Sequence, residues 1–158
     1  MRMSEYGPVG YGKRGSFEGF CSGGGVGRLG QILAREKLQM GQPLPYCKNE
    51  SELPLINAKI LAEYADKGEP VALEPYRICG EKLGAGLSVL VDILNPEMIV
   101  IGSVFQRAEH LLRPHMEKIL NREALPFARE MCKIVAAKLA DDIGDYAALS
   151  VAGEGLRH

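Results

Sequence analysis

Residues 94–105 read LNPEMIVIGSVF. Asn95 and Pro96 stop whatever helix precedes them, and Met98, Ile99, Val100 and Ile101 then form an unbroken apolar run. A run of that length with no polar alternation predicts a central parallel strand buried on both faces. Gly102 ends it. Ser103 followed by Gln106 resembles a capping box, so a helix is expected to begin there, with Val104, Phe105, Ala108, Leu111 and Leu112 on its inner side. A strand that runs through a glycine turn into a helix start brings several backbone N–H groups to one place, where they suit an anionic or nucleotide ligand. The same glycine also serves a plain strand-to-helix turn that needs it only for geometry.

Upstream, Tyr76, Cys79, Leu83, Leu87, Leu90, Val91 and Leu94 recur at three and four residues, the firmest helical pattern in the chain. Gly80, Gly84 and Gly86 interrupt it, each at a cost of ~1 kcal/mol relative to alanine. Close packing of this helix against another element is the expected compensation. Leu55 to Lys67 predicts a further helix closed by Gly68, and Leu29 to Met40 another, stopped by Gly41, Gln42 and Pro43, with Pro43 to Pro54 as a polar connector. Downstream, Pro114 is expected to restart a second helical piece running to Leu120. Lys133 to Ala136 offers a second apolar strand, and the turn ADDIGD leads to a short helix near Tyr146 to Ala152. Helices alternating with two apolar strands give an α/β class, helix-rich with a small central sheet.

The chain has 158 residues, the size of one domain, with 46% apolar and 25% charged residues, which excludes a mostly disordered protein. Nineteen Lys and Arg stand against twenty Asp and Glu, so no strong overall field draws nucleic acid or anionic lipid, and any basic patch has to be local. No apolar run approaches the ~20 residues needed to span a bilayer, and a cytoplasmic location is expected. The four cysteines, Cys21, Cys47, Cys79 and Cys132, are too scattered for a CxxC metal site and read as reduced, mostly buried thiols. His110 and His115, at i and i+5, fall on different sides of a helix. Residues 1 to 30 hold ten of the nineteen glycines and read as loop followed by a poorly specified helix. Within them, Gly25, Gly27 and Gly30 satisfy GxGxxG, but no strand precedes them as a dinucleotide site requires. Glu18 is a carboxylate beside flexible backbone, able to accept hydrogen bonds from ligand hydroxyls; taken alone it reads first as a surface glutamate that complements a helix N-terminus.

In order along the chain, these segments resemble the ROK family of repressors, open reading frames and sugar kinases. YGKRGSFEGFCSGGGV is similar to the family's CGxxGCxExxxSG, with Gly12, Gly15, Glu18, Ser22 and Gly23 in register. LNPEMIVIG matches the family's strand, and KLADDIGDYAALSVA its final turn and helix. The resemblance implies an actin-like, ribonuclease H-like ATPase fold in which two domains close on ATP and a sugar, magnesium accompanies the nucleotide, and an aspartate serves as base. It implies that Glu18 contacts the sugar, and that Gly102 with Ser103 lines the adenosine side of the cleft. The family's DxGxT phosphate element and catalytic aspartate have no match, and Asp141, Asp142 and Asp145 do not stand in for the latter. The expectation is therefore a single C-terminal domain, 1–30 being the sugar-side segment and 31–158 the α/β body. By itself it would not phosphorylate sugar, and ATP and Mg2+ would bind only with an N-terminal half. The family's zinc is held by three cysteines and a histidine. The matching positions here are Val9, Tyr11 and Ser16, and the histidine motif would lie before Met1, so no zinc is expected. Family dimers imply self-association or pairing with an N-terminal partner chain, with no nucleic acid and no membrane as partner. The alternative is a non-catalytic sugar-sensing or dimerisation module of a ROK-type regulator, and a third possibility is a truncated product that packs only against itself.

Overall fold

The structure is a computed structural model that describes residues 1–138. A short antiparallel hairpin, β1 (Val9–Gly10) and β2 (Lys13–Arg14), leads into α1 (Phe17–Cys21) and the long α2 (Gly23–Gln39). A 3-10 helix (Glu50–Leu55) and α3 (Ala58–Ala65) come next, then the 25-residue α4 (Pro70–Leu94). The chain continues through β3 (Met98–Ile101), α5 (Val104–Arg107), α6 (Glu109–Glu123), α7 (Pro126–Met131) and β4 (Lys133–Ala136).

Local chemistry starts each long helix. The side chains of Ser22 and Asn57 accept hydrogen bonds from Gly25 N (3.0 Å) and Ile60 N (3.1 Å), satisfying N–H groups that have no partner inside the helix. Pro70 stands in the first turn of α4, where its fixed φ and missing N–H cost nothing. Asn95 ends α4 in the left-handed region (φ 43°, ψ 52°), a conformation that asparagine tolerates better than most residues.

The core is the contact of α4 with α6. Tyr76, Cys79, Leu83, Leu87 and Val91 are buried against Leu112, Met116 and Leu120, and each of the larger side chains contributes on the order of 1.5–3 kcal/mol by leaving water. The glycines of α4 make that contact possible. A Cβ built on Gly80 would lie 2.7 Å from the Leu112 carbonyl oxygen and 2.8 Å from His115 Cβ. Gly84 abuts the Met116 carbonyl in the same way one turn on, and Gly86 faces the Phe17 ring. The expected close packing is therefore present, with α6 and α1 as the neighbours. Gly25 and Gly30 serve similarly, against the Gly19 backbone and the Leu61 side chain, so the GxGxxG series lies inside a packed helix.

Several expectations are corrected. Helix α2 begins at Gly23, six residues before Leu29, because the Ser22 cap and packing against α1 and α3 override the low helix propensity of its glycines. The segment Pro43 to Pro54 is no polar connector: Leu44, Cys47 and Leu53 anchor it in the core, and it contains most of the 3-10 helix. The helix after it starts at Ala58 rather than Leu55. Pro114 restarts nothing; it sits inside a continuous α6. Strands β3 and β4 form a parallel pair from Met98↔Lys133 to Ile101↔Ala136, but β3 is not buried on both faces: Met98 and Val100 are 51% and 58% exposed, because no described element covers that side. The turn ADDIGD and the helix expected at Tyr146 to Ala152 lie outside the described residues.

Candidate functional site

The turn after β3 is conformationally marked. Ser103 has φ 56° and ψ −129°, a backbone conformation that L side chains rarely adopt, whereas Gly102 is not in the positive-φ region and a Cβ there would meet only Ala137 Cβ, at 3.9 Å. The residue that bears the glycine-like geometry is thus the serine. Ser103 makes no capping hydrogen bond, and Gln106 reaches instead to the Ala137 carbonyl, so the expected capping box does not form. The Ser103 hydroxyl is left at the surface.

Beside this turn lies a pocket of about 330 Å3. Ala58, Ala62, Tyr76, Val104 and Ala108 give it apolar walls, and Gly23, Lys59, Ser103 and Arg107 add polar atoms. The Tyr76 ring is 1% exposed and its hydroxyl donates to the Ala58 carbonyl at 2.6 Å, which joins α4 to the start of α3. Burial pushes the Tyr76 phenol up, so it remains a neutral donor. Two helix starts border the space. Ala58 and Lys59 begin α3 and Gly23 begins α2, and N–H groups in a first turn have no carbonyl partner within their helix. A Cβ at Gly23 would meet nothing within 4 Å, so that helix end is open. Positive helix ends, Lys59 and Arg107 together with apolar walls suit a ligand with a flat apolar part and an anionic tail.

Glu18 lies elsewhere, exposed in the first turn of α1. Ser16 shapes that turn: its hydroxyl accepts from Gly19 N at 3.0 Å and donates to the Gly10 carbonyl at 3.2 Å. A Cβ at Gly10 would stand 2.9 Å from Glu18 Cγ, so the bare glycine leaves room for the carboxylate. Glu18 does not line the pocket of Ser103, and Gly102 only flanks it. Ala58, Lys59, Tyr76 and Arg107 were not foreseen as site residues. Tyr76 is visible in the sequence only as one member of an apolar stripe, and no local motif marks Lys59 or Arg107. All four cysteines are free, with Cys47, Cys79 and Cys132 buried and Cys21 half-buried. Among the described residues no group of three His, Cys, Asp or Glu side chains is placed to hold a metal ion, and no helix is long and apolar enough to cross a membrane.

The helix-rich α/β arrangement matches solved structures of one class, the actin-like ATPase fold of ROK sugar kinases and regulators. A ROK family glucokinase from Streptomyces griseus, solved in complex with glucose and AMPPNP, superposes with a TM-score of 0.68 at 23% identity, over 91% of this chain and 46% of that one. A ROK family transcriptional regulator homologous to the Escherichia coli MLC protein superposes with a TM-score of 0.67 at 24% identity, over 86% and 33%. The ROK family model matches residues 1–154, and the chain belongs to the ROK family. Among curated proteins, the DNA-binding transcriptional dual regulator NagC of Escherichia coli (strain K12) is 28% identical over 123 residues, 75% of this chain and 30% of its own length. The glucokinase of Halalkalibacterium halodurans is 28% identical over 137 residues, 87% of this chain and 40% of its own. The chain thus spans less than half the length of these relatives, which include both sugar kinases and regulators.

Proposed function

We propose that this chain is the C-terminal portion of an ATP-dependent sugar kinase and that the pocket beside Ser103 takes the adenosine of ATP. The observation that carries the reading is the pocket itself: its volume and apolar walls suit a nucleoside, and Lys59, Arg107 and the open start of α2 supply positive charge for a phosphate tail. Ser103, flanked by Gly102, borders the ribose side. Glu18, on α1, accepts hydrogen bonds from sugar hydroxyls. Phosphoryl transfer works by positioning and by neutralising phosphate charge. The side chains of this pocket include cations and apolar groups but no carboxylate that could act as base or hold Mg2+. The base and the metal-binding groups therefore come from outside the pocket, so the chain binds nucleotide and sugar but transfers phosphate only with an N-terminal half. Val9, Tyr11 and Ser16 offer no thiolate or imidazole, and the reading includes no zinc.

Titration of the chain with adenosine and with AMPPNP by calorimetry tests this. Saturable binding is expected; Ala62→Phe, which fills the pocket, should abolish it, and Lys59→Ala should weaken AMPPNP while leaving adenosine unchanged. Binding of either ligand that Ala62→Phe does not affect, or no binding at millimolar ligand, would overturn the assignment. The similarity to NagC supports a second reading, a sugar-sensing module of a regulator. It predicts sugar binding lost on Glu18→Gln with no nucleotide binding at all.

A further inference from the structure

We propose a second, independent ligand site: a basic hollow between the β1–β2 hairpin and the outer face of α2 that binds the phosphate group of a small phosphorylated molecule. The chain as a whole is close to neutral, yet its first 35 residues carry five Lys and Arg against two Glu. Three of those cations, Arg14, Arg28 and Arg35, line one hollow of about 450 Å3 together with Pro8, Gln31 and Ile32. Arg28 and Arg35 are seven residues apart on α2, two helical turns and ~10 Å along one face, and Arg14 faces them from the hairpin.

These guanidiniums differ from those of Arg77 and Arg113. Arg77 is held by Glu74 and Glu81, and Arg113 by Glu109 and Glu117. The guanidinium groups of Arg14, Arg28 and Arg35 make no ion pair or hydrogen bond with any described residue. Glu36, the acid next to Arg35, lines a different hollow beside Lys37. Gln31 is fixed by its amide, which donates to the Ile56 carbonyl at 3.0 Å, and its side-chain oxygen remains as an acceptor. Three like charges around one concavity repel one another, and a di-anion that accepts two hydrogen bonds from each planar guanidinium removes that repulsion. Pro8 and Ile32 give the carbon part of such a ligand an apolar wall. Neither Arg28 nor Arg35 lines the pocket of Ser103, so the site stands whether or not that pocket takes nucleotide.

The experiment is calorimetric titration of the chain with glucose 6-phosphate, inorganic phosphate and glucose at low ionic strength. Saturable binding of glucose 6-phosphate, tighter than any binding of glucose through Glu18, is expected; it should weaken at least fivefold in Arg28→Gln and in Arg35→Gln and fall to the level of glucose in the double variant, while glucose itself should be unaffected by these variants. Lys118→Gln, at an exposed position remote in sequence, should bind as the parent does. Inorganic phosphate binding equally well identifies free phosphate as the source, whereas weaker phosphate binding identifies the ester. All three variants change exposed side chains and should keep the parent circular dichroism spectrum. No saturation by either phosphate compound, or affinity unaltered in the double variant, overturns the proposal. So does a short DNA duplex that displaces glucose 6-phosphate and binds more tightly, because the surface would then serve nucleic acid.

Discussion

Replacing Gly80 by alanine sets two effects of opposite sign against each other. Alanine is the better helix former by ~1 kcal/mol, and in an open helical position the substitution stabilises by about that amount. At Gly80, however, the new methyl would lie 2.7 Å from the Leu112 carbonyl oxygen, 2.8 Å from His115 Cβ and 3.3 Å from Met116 N. Ordinary contacts begin near 3.4 Å, so α4 and α6 must part by more than half an ångström along their main contact. The atoms in the way are mainly backbone and cannot rotate aside. Forcing a methyl group into a packed interface costs ~1–3 kcal/mol, and the rigid obstacle places Gly80 at the upper end of that range. The net loss is about 1–2 kcal/mol, a fall in Tm of roughly 2–8 °C for a chain of this length. Gly24→Ala is the matched control: also helical, its added Cβ meets only the Arg28 guanidinium, at 3.7 Å, and stability should stay level or rise. Thermal and urea unfolding followed by circular dichroism at 222 nm measure both. If Gly80→Ala is as stable as the parent, the close α4–α6 contact is wrong.

Ser103→Gly should raise stability by about 1 kcal/mol, because glycine carries no penalty at φ 56°, while Ser103→Val should lower it; paired urea titrations give both signs. In thiol titration with Ellman's reagent at pH 8, the folded chain should react slowly with less than one equivalent, and the unfolded chain with four. Three thiols are buried, and a side-chain hydrogen bond with Cys79 together with burial pushes the Cys21 thiol far up, keeping it in the unreactive protonated form. A fast full equivalent from the folded chain would contradict the shielding of these thiols.

What could be read from the sequence follows from how local each signal is. The stripe from Tyr76 to Leu94 was legible because seven apolar residues repeat at helical spacing, and its glycines announced close packing because a helix keeps them only where a neighbour requires it. Asn95 as a helix stop and the strand at Lys133 were legible for similarly short-range reasons. The start of α2 was hidden because Gly23, Gly24 and Gly25 argue against helix locally and are overruled by the Ser22 cap and by packing. Leu44, Cys47 and Leu53 were hidden among prolines and charges, where no period marks them. The exposure of Met98 and Val100 could not be read from an apolar run, since burial depends on what lies alongside. Ser103 was placed at a turn, but its strained backbone and its pocket required the structure: Gly23, Ala58, Tyr76 and Arg107 come from four elements far apart in the chain.

The two proposed sites relate differently to the core, and this makes them separable. Tyr76, Val104 and Ala108 are at once pocket wall and buried core, so the shape of the pocket depends on the packing of α4, α5 and α6. A ligand there stabilises the fold by mass action, about 2.7 kcal/mol at a hundred times its Kd. A change that parts α4 from α6 should weaken it in turn, because the wall moves with the helix. The basic hollow rests on exposed side chains of α2 and the hairpin, whose charges contribute little to packing. Gly80→Ala should therefore reduce nucleotide affinity and spare phosphate binding, whereas Arg28→Gln should do the reverse. Parallel loss in both variants would mean that one ligand spans a single continuous site.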